Sequence, residues 1–74
     1  MITFEEFQKN WEDEVLSVRS PQIRKGQSLI NYLAKIWFNE YKRITSTEDD
    51  CFYVDDLIPR TLDYLKQNWY KYPN

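Results

Sequence analysis

Five carboxylates and one thiol fall within residues 45–56, TSTEDDCFYVDD: Glu48, Asp49, Asp50, Asp55 and Asp56 surround Cys51. Clustered carboxylates suit a hard divalent cation, which takes several oxygen ligands at once. The spacing argues against that use. A calcium loop alternates its ligands and turns sharply on a glycine, whereas here Cys51, Phe52, Tyr53 and Val54 separate the acids and the stretch has no Gly. The acids are better read as structural: Thr47 and Asp49 shape turns, Asp55 or Asp56 caps a following helix, and Phe52 and Tyr53 plug the gap between helices. Cys51 as a nucleophile would need cationic neighbours to form thiolate. Its neighbours are Asp49 and Asp50, so a buried, inert thiol is expected. With no His and a single Cys in the chain, zinc sites and Cys-His or Ser-His catalysis lack their residues. The expectation is a protein that is not an enzyme and holds no metal or cofactor.

Two further groups of residues could recognise a partner. Arg24, Ser28, Asn31 and Lys35 recur at helical spacing, with Gln27 beside them, and form a polar stripe. Basic and amide side chains on one helix face are what phosphate and base-edge contacts require. A nucleic-acid surface would then comprise Arg24, Lys25, Asn31, Lys35, Lys42 and Arg43. The second group is aromatic, with Trp37, Phe38 and Tyr41 in one segment and Trp69, Tyr70 and Tyr72 in another. Tyr and Trp dominate binding hot spots. So many rings cannot all face one small core, so Trp37, Phe38, Tyr41, Tyr70 and Tyr72 are the candidate protein-interaction residues.

Helices must position these groups. Thr3 and Glu6 have the spacing of a capping box, with Ile2 and Phe7 placed for a hydrophobic staple. Phe4, Phe7, Trp11, Val15 and Val18 then form one apolar stripe, which predicts a first helix over 3–18. Ser20-Pro21 has the character of an N-cap followed by Pro at the first helical position, which predicts a second helix over about 21–38. Its apolar face is Ile23, Leu29, Ile30, Leu33, Ile36 and Trp37, joined by Gly26, the only glycine. Gly in a helix interior costs about 1 kcal/mol against Ala, so Gly26 should mark a close approach, with Trp11 the expected neighbour. Over residues 39–54 the long period is lost, although Asn39 could cap a short turn that places Tyr41 and Ile44 inward. A third helix follows Asp55 or Asp56, with Pro59 in its first turn and Ile58, Leu62, Leu65, Trp69 and Tyr72 inward.

The expected architecture is one all-α domain over residues 1–74: three helices, with an ordered irregular connection between the second and third. A chain of this size buries only about 60% of its unfolded surface, and its stability is on the order of 5 kcal/mol. The net charge of −2 hides an uneven distribution: residues 1–14 carry −4, 15–39 carry +4, 40–56 carry −4 and 57–74 carry +2. Such alternation does not suit a general polyanion binder. The opening segment is acidic where a signal peptide would be basic and then apolar, and no apolar run approaches a membrane span, so a cytoplasmic protein is expected. A chain this rich in rings could also complete its core as a homodimer.

The stretches RKGQSLINYL and TEDDCFYVDDLIPRTLDYLKQNW resemble those of small uncharacterised helical proteins encoded by tailed phages and prophages. Those proteins share an Arg-x-Gly-Gln segment, an Asp-x-Phe-Tyr-like segment and a helix ending in Trp. The resemblance spans residues 24–69 and implies a small accessory protein, with Arg24, Gly26, Gln27, Phe52 and Tyr53 defining the shared fold. The functional expectation is a protein-interaction module that modulates a host or phage protein. The alternative is a nucleic-acid accessory protein using the polar and basic face of the second helix.

Overall fold

The computed structural model describes residues 1–73, and every regular element among them is helical. Four α-helices are present rather than three: α1 (Phe4–Asn10), α2 (Lys25–Ile36), α3 (Phe38–Ile44) and α4 (Ile58–Asn68). A π-helical segment, Trp11–Leu16, continues α1. Single 3₁₀ turns, Asp55–Leu57 and Trp69–Lys71, precede and follow α4.

α1 starts as its sequence dictates. Thr3 Oγ1 accepts from the Glu6 amide at 3.1 Å and Glu6 Oε1 accepts from the Thr3 amide at 2.8 Å, a reciprocal capping box. Phe4, Phe7 and Trp11 are buried, but the expected stripe breaks beyond them, and Val18 is 74% exposed. The cause is the π-helical segment. Its wider turn places residues five apart on one line, so Leu16 joins Val15 against the core and Val18 rotates into solvent. This segment packs on α2, where Trp11 Nε1 donates to Ser28 Oγ at 3.0 Å and Ser28 Oγ donates to the Lys25 carbonyl at 2.6 Å.

The second helix starts four residues later than the Ser20-Pro21 signal suggests. Ser20 closes only a turn, its carbonyl accepting from the Ile23 amide at 2.9 Å, and Arg19 donates back to the Leu16 carbonyl and forward to that of Ile23. The donors at the start of α2 find partners elsewhere. Gln27 Oε1 accepts from the Arg24 amide at 3.4 Å, and Asp55 Oδ1, 29 residues along the chain, accepts from the Gly26 amide at 2.9 Å. Asp55 therefore caps α2, not the helix that follows it.

Gly26 is a point of close approach, although not to Trp11. A Cβ there would lie 2.1 Å from the Cys51 carbonyl oxygen and 3.3 Å from Asp55 Oδ1. The Cys51 thiol sits 3.5 Å from the Gly26 carbonyl. Loop and helix thus meet backbone to backbone, as only glycine permits.

α2 stops at Trp37, whose φ of −145° and ψ of 76° leave the helical region, and α3 starts at once. Its cap is Trp37, not Asn39, and it runs through the stretch expected to be irregular, burying Ile44 and Glu40. Pro59 lies in the first turn of α4, where its missing N–H has no partner to lose. α4 buries Thr61 and Leu65, and Trp69 follows at its end. Around Trp69 gather Phe4, Phe7, Trp37 and Tyr72, with ring centroids 4.9 to 5.8 Å away. Trp69 Nε1 donates to the Ile2 carbonyl at 3.0 Å, so the two ends of the chain close one core.

Candidate interaction surface

α3 places Phe38 and Tyr41 three residues apart, hence on one side of the helix. Their rings stack at 5.6 Å with an interplanar angle of 30°, and Lys42, one turn beyond Phe38, holds its Nζ 5.3 Å from the Phe38 centroid. Phe38 is 56% exposed, because the seam of this short helix is already filled by Glu40 and Ile44.

The loop after α3 supplies the facing wall. Ser46 adopts a left-handed φ of 67°, unusual for a residue with a Cβ. Asp50 holds it there: Oδ2 accepts from the Ser46 amide at 2.8 Å while Oδ1 accepts from the Phe52 amide at 2.9 Å. Phe52 and Tyr53 follow, edge to face at 4.8 Å. Arg24 extends from the start of α2 across both rings, 5.7 and 5.4 Å from their centroids, and donates to the Phe52 carbonyl from Nε and Nη2 at 3.4 and 3.3 Å.

Between these walls lies a solvent-open cavity of about 170 Å³, floored by Ile30 and lined by Tyr41, Phe52, Tyr53, Thr45, Ser46 and Asp50. A cavity of about 150 Å³ is enough to hold a benzene ring, so this one matches a single large side chain. Tyr53 stands over it 77% exposed, not plugged between helices.

The residues singled out by sequence are thereby divided. Phe38 and Tyr41 belong to this surface. Trp37 does not: it is 3% exposed, at the centre of the ring core against Trp69 and Tyr72, because the break between α2 and α3 turns it inward. Tyr70 is exposed and Tyr72 half-buried; they line a different, open depression with Ile2, Phe4, Lys66 and Trp69. Phe52, Tyr53, Asp50 and Ser46 complete the cavity although none had been singled out as an interaction residue. Their signal was available in the adjacent rings at 52 and 53, flanked by acids that cannot share a core.

The polar stripe of α2 also divides. Ser28 is buried beneath Trp11, while Asn31, Lys25 and Lys35 stay exposed. Arg24 and Lys42 lie over rings, and Arg43 Nη1 is 3.6 Å from the buried Glu40 Oε1. The acids of residues 48–56 are similarly dispersed: Arg60 bridges Glu48 and Asp49 at 3.0 Å each, Asp50 orders the loop and Asp55 caps α2. Among the described residues no three His, Cys, Asp or Glu side chains converge as metal ligands. Cys51 is fully buried, and burial pushes its thiol pKa up, which suppresses thiolate. No helix among the described residues is long and apolar enough to cross a membrane.

Comparison with profiles of known protein families, with curated proteins and with solved structures finds no match to this chain.

Proposed function

We propose that the chain is a non-enzymatic protein-interaction module whose contact surface is the aromatic face of Phe38, Tyr41, Phe52 and Tyr53. One observation carries the reading: Tyr41, Phe52 and Tyr53, from two segments, line a side-chain-sized cavity, Phe38 stacks beside it on Tyr41, and Phe38 and Tyr53 stand more than half in solvent. Exposed rings cost solubility and are kept where they bind. The absence of His and the burial of the only thiol support a role without covalent chemistry. The resemblance of residues 24–69 to small phage and prophage proteins supports an accessory protein, one that modulates a host or phage protein by occupying its surface.

The test is capture from a bacterial lysate with and without nuclease, at low and high salt, using the wild type and a Phe38→Ala/Tyr53→Ala variant of unchanged helicity. A protein retained by the wild type at high salt and lost by the variant is the expected result. Recovery of nucleic acid that is lost with salt would overturn it in favour of a nucleic-acid accessory, because neutralised phosphates make binding steeply salt-dependent.

A further inference from the structure

We infer that the cavity beneath Tyr53 receives a basic side chain, lysine or arginine, from an exposed segment of the partner protein; this rests on the interaction reading above. The walls decide the chemistry. Tyr41, Phe52 and Tyr53 supply rings, Ile30 an aliphatic floor, and the remaining side is polar, with Ser46, Thr45 and the Asp50 carboxylate. A neutral apolar side chain would take water from the Asp50 carboxylate and offer no charge or donor beyond the two amides it already has, which is unfavourable. An acidic side chain would meet Asp50 as a like charge. A basic side chain satisfies both halves, since its methylene stem lies along the rings while its charge meets the carboxylate and the ring faces. Asp50 uses each oxygen for one backbone amide, and a carboxylate oxygen has lone pairs for a second donor.

The chain itself supplies an independent sign of this preference. Three of its cations rest against exposed or half-buried rings: Arg24 over Phe52 and Tyr53, Lys42 over Phe38, and Lys71 over Tyr70. Arg24 is not among the residues lining the cavity, and its positive charge lowers the affinity for an incoming cation. The left-handed Ser46 is part of this arrangement, since its amide donates to Asp50 Oδ2 at the cavity wall.

The test is an amide-resolved NMR titration of the folded chain with four pentapeptides, acetyl-Gly-Ser-X-Ser-Gly-amide, where X is lysine, arginine, norleucine or glutamate. Saturable shifts at residues 41–54 with the lysine and arginine peptides are expected, at least tenfold weaker with norleucine and absent with glutamate. Tyr53→Ala, at an exposed position, should weaken the basic peptides at least fivefold, and Asp50→Asn should reduce their advantage over norleucine. Equal binding of norleucine would overturn the basic-side-chain inference while leaving an aromatic docking surface in place. If no peptide gives saturable shifts, the inference fails. If, in addition, the Phe38→Ala/Tyr53→Ala variant captures the same lysate proteins as the wild type, the interaction reading fails with it.

Discussion

Two groups of rings of similar chemistry meet opposite fates in this chain. Phe4, Phe7, Trp37 and Trp69 are all less than a tenth exposed, whereas Phe38 and Tyr53 stand more than half in solvent. Hydrophobicity does not separate them. Convergence does: Trp69 is met from α1 by Phe4 and Phe7 and from the α2–α3 break by Trp37, so each ring is covered from several directions. The exposed group has walls on two sides only, and what remains between them is the cavity. In a domain that leaves about 40% of its surface exposed, the position of a ring relative to the meeting point of helices matters more than its place on an apolar stripe.

The comparison is broken most strongly by removing its buried side. Trp69→Ala should cost about 3–5 kcal/mol through the cavity it leaves, against a total stability on the order of 5 kcal/mol. The chain should then be largely unfolded at 37 °C in a circular dichroism melt. Full retention of the wild-type melting temperature would show that the ring core is not what holds the domain together.

Gly26→Ala attacks the clasp that presents the exposed face. A Cβ 2.1 Å from the Cys51 carbonyl oxygen must push loop and helix apart, and overpacking of this kind costs about 1–3 kcal/mol, with backbone as the obstacle placing it toward the upper end. The perturbation should concentrate at residues 46–55 in an amide spectrum while the indole resonances of Trp37 and Trp69 stay near their wild-type positions. Equal disturbance of both regions would mean that the two ring groups are one cooperative unit.

What the chain's residues disclose without a structure follows the same division. The capping box at Thr3, the α4 seam through Leu65 and Trp69, and the need for a small residue at 26 were legible because each depends on local spacing or on one steric fact. The start of α2 was not, because its second amide is capped by Asp55, 29 residues away. α3 was read as little more than a turn because a seven-residue helix is too short to show a period, and its inward polar residue, Glu40, breaks the apolar pattern. The π-helical segment disguised itself likewise, since Val15 and Val18 continue the 3.6-residue stripe of Phe4, Phe7 and Trp11, whereas in the fold Leu16 packs inward and Val18 leaves the stripe. The cavity was illegible for a related reason: its walls come from α2, α3 and the loop, and no spacing within one segment connects them.

Glu40 offers a finer test, since its carboxyl is wholly buried. Its Oε2 accepts from the Tyr64 hydroxyl at 2.8 Å, while Oε1 accepts no hydrogen bond among the described residues and lies 3.6 Å from Arg43 Nη1. Burial, and then the hydrogen bond to Glu40, push the Tyr64 pKa up from 10.0 to about 12. A folded-state pKa above the unfolded one means the folded chain holds this proton more tightly. The associated stability is complete below pH 10 and is lost as pH rises from about 10 to 12. Tyr64→Phe should cost on the order of 1–2 kcal/mol at neutral pH by leaving Glu40 without its donor, and should flatten that alkaline decline. Denaturant melts at pH 7 and 11 measure both, and an unchanged alkaline slope would remove Tyr64 from the account.

The smallest effect on stability is expected where the effect on binding should be largest. Phe38 and Tyr53 contribute rings that the fold leaves half or more in water, so truncating either should change stability by less than about 0.5 kcal/mol. The stack of Phe38 on Tyr41 and the cation of Lys42 over Phe38 add little at an exposed site, as do Arg24 and the ring of Phe52 against Tyr53. If Tyr53→Ala instead destabilised the chain by 2 kcal/mol or more, as truncation of a core ring does, Tyr53 would be a structural lid over Ile30, and the cavity a gap left by imperfect packing. Near-neutral stability together with lost partner capture separates a surface kept for recognition from one kept for the fold, and a urea titration of this single variant beside the wild type decides between them.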